Sequence, residues 1–228
     1  ELKTPLATIS LAVDALRNEK VMGNAEKSTY FSGIIKEENK RMNKHVETIL
    51  QAGLVDRQDI RMSMEKKSVH NLVKEVLSNY ELQLNGRNAT VELLLNAKND
   101  MVNADEVHFS NLVSNLVDNA IKYSKDNIPL QLKITTHSTA KYFVMQFEDN
   151  GIGMSKETSK RIFEKFYRAT TGNVHNVKGF GLGMSYVKTI IDAHKGRIKV
   201  ESTLGKGSTF VIELPLSNPG DVKEDSSW

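Results

Sequence analysis

Residues 115–123 read NLVDNAIKY, and this stretch decides what kind of unit the chain builds. Leu112, Leu116, Val117 and Ile121 recur at helical spacing and make one apolar face. Asn115 and Asn119 lie one helical turn apart on another face, so both amides point the same way. A side-chain amide carbonyl is a neutral, hard-oxygen ligand of the kind Mg²⁺ accepts, because that ion keeps several waters and takes further ligands from nucleotide phosphates. Two solvated asparagines on an amphipathic helix would look the same, so the stretch has meaning only with its neighbours.

On the C-terminal side, two alternating strands are expected at Leu130–Thr136 and Tyr142–Glu148, and the second runs into the turn DNGIGM at 149–154. A carboxylate at that strand end, Asp149, can accept the amino proton of adenine, a charge-assisted bond of about 1.5–3 kcal/mol. Gly151 and Gly153 let the backbone approach a ligand. Then comes FEKFYR at 163–168, in which Phe163 is expected in the core. The polar run RATTGNVHNVK at 168–178 has the composition of a lid that orders over a ligand. In GFGLGM at 179–184, Gly179, Gly181 and Gly183 precede a helix expected over Ser185–Ala193, whose N-terminus and free amides can surround a polyphosphate. The loop lacks the Gly-Lys-Ser/Thr ending of a P-loop and the acidic partner of a dinucleotide fold. A hairpin, Arg197–Ser202 with Ser208–Leu214, closes across LGKG at 204–207. Nine of the 14 glycines fall between Gly151 and Gly207, which concentrates unusual backbone conformations around the proposed phosphate chemistry.

On the N-terminal side the periodicity changes. Leu2, Leu6, Ile9, Val13 and Leu16 form a narrow stripe in steps of four and three, the seam of a helical bundle. Gly23 and Asn24 break it, and a second helix is expected over Ala25–Leu54 with Phe31, Ile35, Met42, Val46, Ile49 and Gly53 inward. Two helices bury too little surface alone, so a homodimer through residues 1–55 is expected, forming a four-helix bundle. A charged bridge, Asp56–Lys67, marks the boundary between this hairpin and the mixed α/β region, in which a helix over His70–Leu84, a strand over Ala89–Leu95 and a helix over Ala104–Tyr123 are expected. The domains are accordingly 1–64 and 65–216, with a polar, disordered tail at 217–228.

These segments, in this order, resemble the nucleotide pocket of sensor histidine kinases, with 115–123 similar to the family's N box. The implied fold is α+β: a HisKA-type helical hairpin followed by a two-layer α/β sandwich of the GHKL (Bergerat) type. The resemblance implies ATP and Mg²⁺ as ligands, with Asn119 on the metal and Asn115 and Lys122 toward the phosphates. Tyr123 would lie against adenine, Asp149 on its amino group, and Gly151, Gly153, Phe166, Tyr167, Arg168, Gly179, Gly181, Leu182 and Gly183 would complete the pocket. Residues 1–6, ELKTPL, look like the H box from its second letter onward. Glu1 would then assist a phospho-accepting histidine immediately before it, and Thr4 would position water during dephosphorylation. Pro5 is expected either to bend the helix or to sit harmlessly in its first turn. None of the six histidines is followed by glutamate, so none present replaces the missing acceptor.

Composition narrows the field without choosing within it. The chain has 31 basic and 28 acidic residues, a net +3, too small a surplus to argue for nucleic acid or an anionic membrane surface. It has no cysteine, hence no disulfide or thiolate metal site, and no apolar run approaches the roughly 20 residues of a membrane span. A cytoplasmic fragment without membrane contact is expected, from a parent anchored in a bacterial inner membrane. The implied partner is the receiver domain of a response regulator, docking near Ala12–Leu16. A GHKL ATPase or serine-kinase relative, or a nucleotide-regulated dimerisation module, remain the alternatives.

Overall fold

In a computed structural model of the chain, residues 2–56, 62–169 and 180–217 are described. The chain divides into two compact units, Glu1–Ile60 with Lys178–Leu182, and Arg61–Val177 with Gly183–Trp228. The first holds the hairpin. Helix α1 (Lys3–Leu16) carries Pro5 in its first turn, where a missing N–H removes no helical bond. Asn18 accepts from the Lys20 amide at 3.0 Å and starts a single extra turn, α2 (Glu19–Met22), that the sequence did not announce. Asn24 then caps α3 (Ala25–Asp56) by accepting from the Lys27 amide at 3.0 Å. Among the described side chains of this hairpin only Pro5 and Ala12 are buried; Leu6 is 55% exposed and Leu11 71%.

The second unit is built from β1 (Glu65–Ser68), α4 (Val69–Asn79), α5 (Glu81–Asn85), β2 (Thr90–Leu95), β3 (Met101–Ala104), α6 (Glu106–Lys122), β4 (Gln131–Ser138), β5 (Tyr142–Asp149), α7 (Lys156–Arg161), α8 (Gly183–Ala193), β6 (Arg197–Thr203) and β7 (Gly207–Pro215). Five strands form one sheet in the order β2-β4-β5-β7-β6, parallel only between β2 and β4. Strand alternation puts Ile134, Phe147 and Phe210 in register on one face, and that face is covered by α4, α6 and α8. The core lies between these two layers, with Phe109, Leu112, Phe143, Met145, Ile190 and Ile212 fully enclosed.

Three expectations need correction. The helix expected over His70–Leu84 ends at Asn79 and restarts at Glu81, with Tyr80 (φ −98, ψ 0) between. No glycine or proline marks this break; the Tyr80 hydroxyl reaches the Ser114 carbonyl of α6 at 3.4 Å, a tertiary contact that periodicity does not carry. The charged bridge was expected to run on to Lys67 and α6 to begin at Ala104. Instead β1 and β3 pair antiparallel, Glu65 opposite Ala104 and Lys67 opposite Val102, and Asp105 caps α6 by accepting from the His108 amide at 3.0 Å. Strands of four residues, one of them (β1) with charged exposed positions, leave no alternation long enough to read. Ser217, expected as the first residue of a disordered tail, is buried and donates its amide to Met101 (3.2 Å) and its hydroxyl to Asn103 (3.0 Å); the rest of the tail lies outside the described residues.

A buried polar knot ties α8 to the start of α6. His194, 5% exposed, accepts the Asp105 amide on Nε2 at 3.2 Å and so donates from Nδ1 to the Ile190 carbonyl at 2.7 Å. Burial holds its pKa below the ordinary histidine range. Asp105 also accepts from the Ser63 amide at 2.9 Å.

Candidate functional site

The site begins on α6, whose buried face (Leu112, Leu116, Val117, Ala120) fixes the helix against the sheet and leaves Asn115 and Asn119 half-buried beside it. Asn115 turns its amide N–H back to the Asn111 carbonyl at 2.8 Å, and Asn119 points its own at the Met184 sulfur at 2.7 Å. Both amides thus spend their donor ends inside the protein. A side-chain amide oxygen is the kind of group a cation or water can use. Lys122 lies 5.8 Å from the Tyr123 ring centroid, and Tyr123 is 37% exposed. Burial raises the Tyr123 phenol, against a smaller opposing pull from the Arg168 charge.

Asp149 ends β5 on the helix-covered face of the sheet, opposite Leu132 on β4 and Ser208 on β7. That position explains its electrostatics. Burial raises its pKa above the ordinary carboxylate value, opposed by backbone donors at Gly151 and Ser208, while Glu148 raises it further and Lys125 lowers it. The Gly151 amide donates to Asp149 Oδ1 at 2.8 Å, and Ile152 donates to the Tyr123 carbonyl at 3.0 Å, so the turn is stitched to the end of α6. A Cβ on Gly151 would sit 2.5 Å from the Tyr123 carbonyl oxygen and 2.7 Å from Asp149 Oδ1. Gly153 adopts φ +64, and a Cβ there would meet the Thr203 carbonyl at 2.0 Å. The β6–β7 turn closes on the same loop, with Gly205 N–H donating to the Ile152 carbonyl at 2.6 Å and Lys125 Nζ to the Gly205 carbonyl at 2.8 Å.

Phe166, Tyr167 and Arg168 fall in a second group, along a cavity of about 510 Å³ whose lining also includes Ser155, Thr158 and Arg161. Asn115, Asn119 and Asp149 are not part of that lining. Phe166 is 68% exposed at φ +61, Tyr167 stacks under the Arg161 guanidinium at 4.4 Å, and Phe163 is half-buried, at the margin of the core and not inside it. Gly183 is the first residue of α8, two positions earlier than expected; Gly181 has φ +72, and Leu182 is buried. Gly179, the lid through Lys178, and Glu1 lie outside the described residues, and Thr4 is exposed on α1.

Sequence reasoning missed Met184, Lys125 and Ser208. Met184 closes the GFGLGM motif and Ser208 opens an expected strand, while Lys125 lies in no motif; only the third dimension places Met184 at Asn119, Ser208 at Asp149 and Lys125 at the turn. The residues present suit an adenine nucleotide. A desolvated carboxylate stands where an N–H donor would satisfy it, a glycine whose Cβ would fill the cradle lies beside it, and neutral amide oxygens stand on the adjoining helix face. Among the described residues no cluster of three His, Cys, Asp or Glu gathers, so a divalent ion here would rest on neutral oxygens and ligand phosphates.

Comparison with known proteins agrees with this chemistry. Residues 104–218 match the model of the histidine kinase-, DNA gyrase B- and HSP90-like ATPases, and residues 1–57 match the His Kinase A (phospho-acceptor) domain. The sensor protein RprX of Bacteroides fragilis is 42% identical over 216 residues, 95% of this chain, and the sensor protein kinase WalK of Staphylococcus aureus is 26% identical over all 228. The chain spans 42% and 53% of those two relatives' lengths. Among solved structures, the histidine kinase AdeS of Acinetobacter baumannii shares the fold at TM-score 0.70 and 24% identity, covering 95% of this chain and 98% of that one. The nucleotide-free catalytic domain of the histidine kinase ThkA is 26% identical at TM-score 0.57, over 69% of this chain and all of that one. A HisKA-type hairpin followed by an α/β unit that matches the ATPase model places the chain in the histidine kinase-, DNA gyrase B- and HSP90-like ATPase family, as a member of the sensor histidine kinases.

Proposed function

We propose that this chain is the autokinase core of a two-component sensor, comprising a dimerising hairpin at 1–64 and a catalytic domain at 65–216. The core uses ATP to phosphorylate a histidine placed immediately before Glu1 and passes the phosphoryl group to an aspartate of a response regulator. The observation that carries this reading is the desolvated Asp149 carboxylate beside the Gly151 cradle. ATP supplies the phosphoryl group, and Mg²⁺ would neutralise the charge that develops on it. Asp149 accepts the adenine amino proton and so selects the base. Asn119 offers its carbonyl oxygen to the metal, while Asn115 and Lys122 face the phosphates. Gly179, Gly181, Leu182 and Gly183 shape the backbone around them, and Tyr123, Phe166, Tyr167 and Arg168 border the nucleotide. Glu1 orients the acceptor imidazole, and Thr4 positions water when the regulator is dephosphorylated.

The partner class draws support from the histidine kinase ThkA, whose fold this chain shares at 22% identity and TM-score 0.68, and which has been solved in complex with the response regulator protein TrrA. Among the described residues no helix is long and apolar enough to cross a membrane. A cytoplasmic location, with membrane anchoring elsewhere in the parent protein, is part of the proposal. Competition binding tests the site. ATP is expected to displace a fluorescent adenine nucleotide far better than GTP, whose base presents a carbonyl to Asp149. Equal displacement by the two would reduce Asp149 to a turn residue.

A further inference from the structure

The two asparagines of α6 differ in what holds them. Asn115 secures its donor within its own helix, at the Asn111 carbonyl, and its oxygen lies where a Cβ on Gly183 would come within 2.6 Å. Asn119 does not bond the carbonyl one turn back. Its amide N–H points across to the sulfur of Met184, the second residue of α8, at 2.7 Å, and Met184 is only 7% exposed. An amide side chain can rotate by half a turn and exchange its oxygen for its nitrogen with little change of shape. A thioether carries lone pairs and no proton, so it accepts an N–H and repels a carbonyl oxygen. The sulfur therefore chooses between the two orientations, and in the one it chooses the nitrogen, not the oxygen, faces Met184.

We propose that Met184 is a positioning residue for metal binding. Its thioether holds the Asn119 amide with the carbonyl oxygen toward the divalent cation, and Gly183 beside it leaves room for Asn115. The first two residues of α8 thereby set both amides of α6. The inference rests on the assignment of Asn119 to the metal. Leucine would fill nearly the same volume and support the same packing, but it would accept no hydrogen bond, and both amide orientations would then be populated. Glutamine would restore an acceptor at about the same reach, but its own NH₂ can also hold the reversed amide, so it would restore the selection only in part.

The test compares wild type, Met184→Leu, Met184→Gln and Asn119→Ala as the full chain. Affinity for ADP is titrated in EDTA and again at graded Mg²⁺, and the Asn119 side-chain amide is followed by nuclear magnetic resonance without nucleotide. In Met184→Leu the Mg²⁺ concentration for half-maximal enhancement of binding is expected to rise about three- to tenfold, the value of one lost neutral hydrogen bond. Affinity in EDTA and melting temperature are expected to stay at wild-type values, and Met184→Gln to recover part of the wild-type Mg²⁺ response. In the free protein the Asn119 amide is expected to be ordered in wild type, averaged in Met184→Leu and intermediate in Met184→Gln. An unchanged Mg²⁺ response in Met184→Leu, or an equal loss with and without Mg²⁺, would overturn the proposal. If Asn119→Ala keeps the wild-type Mg²⁺ response, the metal assignment fails and the proposal with it, whatever the resonance data show of the sulfur's hold on the amide.

Discussion

The hairpin and the α/β unit solve the problem of burying apolar side chains in opposite ways. In the α/β unit, α4, α6 and α8 cover one face of a five-stranded sheet, and residues such as Phe109, Phe143 and Ile190 are fully enclosed within a single chain. In the hairpin, α1 and α3 leave the seam largely open, with Leu6 at 55% and Val13 at 40% exposure, and among its described side chains only Pro5 and Ala12 are buried. The first region is complete as one chain. The second leaves apolar side chains uncovered among its described residues, which is what the proposed dimerisation through it would bury.

The sharpest way to break this comparison is to charge the open seam. Leu6→Asp combined with Val13→Asp is expected to weaken dimerisation about a hundredfold or more, since each protomer would expose a charge in place of an apolar group worth about 1.5–3 kcal/mol on burial. Sedimentation would measure it. The melting transition of the α/β unit should not move; if both regions fall together, they are not independent.

Next in size is Gly153→Ala. It forces an L side chain to φ +64 with a Cβ 2.0 Å from the Thr203 carbonyl, and should destabilise the α/β unit by about 2–3 kcal/mol while leaving dimerisation intact. Denaturant unfolding with two probes, one in each region, would separate the two effects.

Asp149 sets stability against function inside the α/β unit. Because burial raises its pKa, its contribution to stability is full below the ordinary carboxylate range and is lost as pH rises through the raised value. At neutral pH the carboxylate is therefore a liability that the Gly151 and Ser208 donors offset only in part, and that a further donor such as the adenine amino group would relieve. Asp149→Asn still accepts the Gly151 N–H, so it is expected to raise the melting temperature of the unit while lowering ATP affinity about 10- to 100-fold. Unchanged affinity by calorimetry would contradict the role assigned to this residue.

The smallest effect concerns pH. Burial lowers the pKa of His194 and of His70, so each favours its neutral form in the fold. Their contribution is present above the ordinary histidine value of about 6.5 and is lost as pH falls through the lowered values. The melting temperature of the α/β unit should drop between neutral and mildly acidic pH, and His194→Gln should flatten that slope. A hairpin transition moving in parallel would mean that the effect belongs to other groups.

How far the sequence could be read follows from the length scale of each signal. The long amphipathic patterns of α1, α3 and α6 and the alternation along β4, β5 and β7 contain enough periods to announce themselves. The β1–β3 pair does not, because its four-residue strands are joined only by the fold and carry charges such as Lys67, bonded to Glu65 at 2.8 Å and Glu106 at 2.6 Å. The same distinction runs through the site. Asn115, Asn119, Asp149 and the glycines stand in local motifs, whereas Met184, Ser208 and Lys125 matter through neighbours distant in sequence.

The proposal turns on a nucleotide pocket around Asn119 and Asp149 and on none of the six histidines of this sequence being the phospho-acceptor. Incubation with Mg²⁺ and γ-labelled ATP, followed by acid and base stability of the label, tests it most directly. The chain of 228 residues is expected to bind nucleotide and carry no acid-labile phosphate. The same chain extended by a helical segment ending in histidine before Glu1 should become labelled, and one ending in glutamine should not. Acid-labile phosphate on the unextended chain, mapped to any of its six histidines, would contradict the account.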